Sequence, residues 1–155
     1  MGSHGGTKVE GQLSILESYG ITEEKMGIPV KATIEVIKLG KLENGLPVYF
    51  NKIAHSLDGL IVINRIKPHT SFKSDIESGL CKMLAVCLGN HKGASLVHSL
   101  GVKGLSTHMV KFTEVILQKV PILCGIGILE NGYDKTYKLI AANPKDFKNV
   151  DRKLL

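Results

Sequence analysis

The chain has 155 residues, 43% of them hydrophobic and 22% charged, with a formal net charge of +6 at pH 7. That length suits a single domain over residues 1–155, able to bury about 70% of its extended surface, and the apolar content excludes wholesale disorder. Aromatic residues are only 5%, with no Trp, and the lysines are spread without a basic block, so a base-stacking or nucleic-acid-binding face is disfavoured and the charge reads as a soluble basic surface.

In chain order, Met1-Gly2-Ser3-His4-Gly5-Gly6 has no periodicity. It resembles the remnant of an expression tag, and equally a strand-to-helix turn with His4 beside permissive glycines. Thr7-x-x-Glu10 has the form of a capping box, and Val9, Leu13 and Leu16 follow at near-helical spacing, which predicts a helix over 8–19 with Gly20 past its end. Residues 21–27 read as a short helical turn. Alternation over 33–38 predicts a half-buried strand, Glu43-Asn44-Gly45 a hairpin, and 47–50 its return. A short helix over 52–57 leads into 60–66, an apolar run typical of a parallel or central strand.

A polar loop follows, opened by Lys67-Pro68-His69, in which proline restrains its own backbone and that of Lys67. A helix over 79–88 then carries Lys82 in its first turn, with an apolar stripe of Leu80, Met83, Leu84, Cys87 and Leu88. An ammonium there faces the positive end of the helix dipole. Gly89-Asn90 interrupts, and a second helix covers 91–100. Ser106-Thr107 precede a longer helix to about 119. Residues 121–129 predict another buried strand, Asn131-Gly132 a turn and 136–141 a strand. Pro144 starts a last helix. Alternating strands and helices give an α/β class with a mixed, largely parallel sheet flanked by helices. The ragged ends read as a fragment of a larger domain, whose uncovered sheet edge would favour self-association.

Three cysteines (Cys81, Cys87 and Cys124) form no C-x-x-C pair, which predicts reduced thiols in a cytoplasm. The uncharged run 120–129 is far short of the roughly 20 residues of a spanning helix, and no apolar signal segment opens the chain. Zinc spacings, the phosphate loop, the dinucleotide fingerprint and the G-x-S-x-G elbow are all missing. A strand end, a polar loop and a helix are where open α/β sheets place ligands. From the residues alone, the site is therefore a cleft with His69 as a possible acid/base and Lys82 as a possible covalent anchor. Arg65 and Lys67 are available to an anion, or are simply solvated.

The segment INRIKPHTSFKSDIESGLCKMLAVCLGNHKGASLVHSLG resembles the central part of the LarA-like family, the nickel-pincer lactate racemases and their uncharacterised relatives. MGSHGG and PILCGIGILENGY are similar to that family as well. The resemblance implies a nickel-pincer nucleotide, tethered to a lysine and completed by one histidine on nickel. It also implies a 2-hydroxy acid that gives its α-hydride to the cofactor and takes it back on either face. Carried over, Ser78, Gly79 and Lys82 form the tether motif with Lys82 as anchor. His98 is the nickel ligand in preference to His91, and His69 and His4 are the two acid/base groups. His55 and His108 take no part. The family's proteins are longer, so an N-terminal segment and a closing C-terminal domain are the implied partners. The competing reading is a non-catalytic module of the same fold that binds an anionic ligand or nucleotide.

Overall fold

The computed structural model describes residues 4–70 and 73–155. Met1, Gly2 and Ser3 of the leading loop lie outside the described residues, as do Ser71 and Phe72. Among the described residues the order is a 3-10 turn at Gly5–Thr7, α1 (Val9–Ser18), α2 (Glu23–Met26), β1 (Val36–Lys41), β2 (Pro47–Asn51), α3 (Lys52–His55) and β3 (Leu60–Arg65). Then come α4 (Leu80–Lys82), which runs into a π-helical turn at Met83–Cys87, α5 (Asn90–Ser99), α6 (Gly101–Lys119), β4 (Ile122–Glu130) and β5 (Thr136–Ala142). A 3-10 turn at Pro144–Asp146 leads into α7 (Phe147–Leu154).

The α/β class holds, with a mixed sheet. β3 and β4 pair in parallel, Val62 beside Gly125 and Ile63 beside Ile126. β5 adds antiparallel to the other side of β4. β1 and β2 form a separate antiparallel hairpin. A parallel pair needs a long crossover, and here α4, α5 and α6 supply it.

Gly125 sets how closely the helices approach the sheet. A side chain there would meet the Phe147 ring at 2.6 Å and Leu80 at 2.7 Å. Its absence lets α7 and α4 both rest on β4. Phe147 and Leu80 are fully buried with Leu84, Met109, Phe112 and Ile116; burying each such side chain is worth about 1.5–3 kcal/mol. On the other face of the sheet Ile61, Ile63 and Leu139 remain half or more exposed. Among the described residues no helix is long and apolar enough to cross a membrane. All three cysteines are free thiols.

Four local expectations are corrected. The capping box does not form: Thr7 sits in the 3-10 turn at φ 61°, and Lys8 precedes α1 without a side-chain cap. The glycine turn packs instead on its own helix, with Gly5 against Gly11. β1 begins at Val36, not at residue 33. Side-chain amides satisfy the preceding carbonyls in place of a strand: Asn90 Nδ2 donates to Thr33 O (2.9 Å) and Glu35 O (3.3 Å). The helix over 79–88 is α-helical only for its first turn and then widens into the π turn. Widening rotates the buried face, so Ala85 and Val86 are buried while Met83, Cys87 and Leu88 are only partly so. Finally, α6 starts at Gly101, where φ is 67°; glycine turns the chain there without steric penalty, and Ser106-Thr107 lie inside the helix.

Candidate functional site

The site is built where β3 ends. The chain leaves the strand at Arg65, loops through 66–79 and re-enters helix at Leu80. Ser78 closes the base of that loop. Its hydroxyl accepts from Lys67 N (2.9 Å) and donates to Lys67 O (2.8 Å). Asn64, from the strand itself, donates to Gly79 O at 2.7 Å. Ser78 and Gly79 thus tie the loop to the strand end, and Lys82 follows in the helical turn beyond them.

Two buried carboxylates fix the rest. Glu77 is 3% exposed. It accepts from the backbone N–H of His69 (2.7 Å) and of Ser74 (3.0 Å). Those N–H groups hold its carboxyl below the usual range. Asp151, on α7, is fully buried. Its two oxygens accept from Leu80 N (2.9 Å) and Cys81 N (2.8 Å), the first free amides of the lysine helix. Burial raises the Asp151 carboxyl, against those same hydrogen bonds. Gly79, at φ 113°, lies so close to Asp151 that any side chain there would overlap the carboxylate.

Neither acid was evident from the sequence. For Asp151 a signal existed: Phe147, Val150, Asp151 and Leu154 recur at helical spacing, which places an acid on an apolar face. Glu77 carried no comparable mark.

The fields at His69 tie the chemistry-bearing residues together. Burial lowers its pKa most, then the charge of Lys82; Glu77 opposes, and His98 lowers it further. Lys82, His69 and His98 therefore lie within electrostatic reach of one another or of a shared neighbour, although their elements are separate. His91 does not enter that set. It stands exposed on α5 with Ser95 Oγ 3.5 Å from its Nδ1. His108 is occupied by Asn44 (3.1 Å) and Gly104 O (3.1 Å), and His55 is exposed at the end of α3. His4 is carried by a different element, exposed just before the Gly5–Thr7 turn.

Lys82 is half-buried, and burial lowers its pKa. Among the described residues no carboxylate pairs with it. A desolvated lysine without a counter-ion has more of its free-amine form near neutral pH, which makes it a better nucleophile. Arg65, by contrast, is paired with Glu130 at 3.2 Å. An open groove of about 550 Å³ lies elsewhere, among Lys73, Asp75, Lys111, Glu114, Lys148 and Arg152. It contains none of Lys82, His69 or His98. Its charges are of both signs and mostly solvated.

Compared with protein-family models and with curated proteins, the chain matches none.

Proposed function

We propose that this chain is the cofactor-carrying part of a 2-hydroxy-acid racemase or epimerase, with Lys82 as the covalent anchor of a nickel-pincer nucleotide. One observation carries the reading. Lys82 is half-buried at the start of a helix, unpaired by any acid among the described residues, with an imidazole in its field. An ammonium is poorly served in that place, whereas an acylated lysine is neutral and loses the conflict.

The donor set suits the group. The Lys82 amine is available for a thioamide link, and His98 offers an exposed imidazole, a good ligand for nickel. When bound, that group supplies the hydride-accepting chemistry at the substrate α-carbon. The remaining work falls to this chain. His69, whose pKa burial lowers, is held neutral near pH 7 and takes a proton from the substrate hydroxyl. His4 is the proton-transfer group for the opposite face. Glu77 fixes the backbone from which His69 reaches, and Lys67 at the loop opening is available to the substrate carboxylate.

The test is intact-mass spectrometry with metal analysis on the parent protein, co-produced with the enzymes that assemble the cofactor. A nickel-bearing adduct on Lys82, lost in Lys82→Ala, supports the reading. An unmodified lysine without nickel, under conditions that load an established racemase, sinks it in favour of an anionic-ligand module.

A further inference from the structure

We propose that Asp151 is the positioning residue of this site: from α7 it clamps the first turn of the lysine helix and so holds Lys82 in its half-buried, reactive place. The geometry is specific. Both carboxylate oxygens are used, one on Leu80 N at 2.9 Å and one on Cys81 N at 2.8 Å. The residue after those two is Lys82. Gly79 leaves room for the carboxylate where any side chain would exclude it. Thr113, on α6, holds the same turn from a third direction by donating to Cys81 O at 3.2 Å.

A carboxylate is an expensive way to satisfy two amides in a core. Asp151 is fully buried and no Lys or Arg pairs with it among the described residues. An ionised acid in that state works against stability unless it is retained for something else. What it does here is lock the backbone of one turn, in register, directly before a lysine. The π turn at Met83–Cys87 begins on the other side of that lysine, and such turns are rare interruptions of the α-helix. Lys82 is therefore fixed from its N-terminal side, by α7. Among the described residues, none of the lysine's own loop or helix accepts from the Leu80 or Cys81 amide, so that pairing depends on a residue 70 positions beyond Cys81 in sequence.

The inference draws on the anchor reading only for what the lysine is used for; the position of the amine stands by itself. The experiment is competitive acetylation of the whole chain with acetic anhydride from pH 6 to 10, read at Lys82 by peptide mass spectrometry against the exposed Lys135. In the wild type, Lys82 is expected to titrate below the ordinary lysine value of 10.5. In Asp151→Asn, which keeps the volume but offers one acceptor, the Lys82 midpoint moves back toward that ordinary value by about half a pH unit or more, while the fold persists. A Lys82 profile superimposable on wild type in a folded Asp151→Asn overturns the proposal. Should that variant fail to fold, amide exchange on the wild type decides. Protection of the Leu80 and Cys81 amides to the level of Met109 in α6 supports the clamp. Exchange of those two at the rate of an exposed loop overturns it. Failure of nickel loading leaves the labelling result unaffected, so the two readings fall separately.

Discussion

Gly79 and Asp151 fit together only because Gly79 has no side chain. The glycine adopts φ 113°, and the Asp151 carboxylate fills the space a β-carbon would take. Gly79→Ala therefore meets two penalties at once, a strained backbone and a displaced clamp. The expected loss is on the order of 3 kcal/mol, read from the urea midpoint at constant slope. A loss below about 0.5 kcal/mol would show that the turn has another low-energy shape.

Asp151→Asn has a pH signature. The folded carboxyl is raised above its ordinary 3.8 by burial. The protonated form is thus the better folded one: its contribution is whole below about 3.8 and is lost as pH rises through the raised value. Wild type should lose stability relative to Asp151→Asn across that window and run parallel to it above. Thermal melts of both proteins from pH 3 to 8 check this, and parallel curves throughout would contradict it.

Glu77→Gln should show the opposite slope. The His69 and Ser74 N–H groups hold the Glu77 carboxyl below its ordinary 4.5. Its contribution is present above about 4.5 and is lost as pH falls through the lowered folded value. The wild-type advantage over Glu77→Gln should shrink on acidification in that range. The same melts measure it.

His69 reports on Lys82. Burial and then the lysine charge lower the imidazole pKa. Lys82→Gln removes the charge, so the His69 midpoint should rise toward 6.5. Histidine resonances followed by NMR between pH 4.5 and 8 give the answer; an unmoved midpoint would separate the two residues.

Asn90 combines a positive φ of 50° with full burial. Its side chain donates to Thr33 O and Glu35 O, and accepts from Asn51 Nδ2 at 3.4 Å. Asn90→Ala should cost about 2–4 kcal/mol, from the lost side-chain hydrogen bonds to Thr33 O and Glu35 O and from the left-handed backbone. Asn90→Gly loses the same bonds but not the backbone ease. It should therefore be less damaging by about 1 kcal/mol, as denaturation of the two variants side by side would show.

These residues also mark how far the sequence could be read. The β3 strand, the loop after it and Lys82 at a helix start were legible because apolar runs, proline and helical spacing are local signals. Local signals failed where a distant group decided the outcome. Thr33 and Glu35 look like strand, yet Asn90 and Asn51 take their carbonyls. Thr7 has the letters of a cap, but the close packing of Gly5 on Gly11 gives it a different backbone. Glu77 looks like an ordinary surface acid, and Asp151 differs from one only by its place on an apolar helix face, because a carboxylate that binds backbone amides needs no partner with a recognisable side chain.

The distance along the chain between Cys81 and Asp151, 70 residues, is also an interval of time. At a synthesis rate of about 5–20 residues per second, the lysine turn exists for several seconds before the helix that clamps it has been made. Until α7 docks, the Leu80 and Cys81 amides lack the Asp151 carboxylate that pairs them in the finished fold, so on the proposed anchor reading the order of synthesis would place folding ahead of loading.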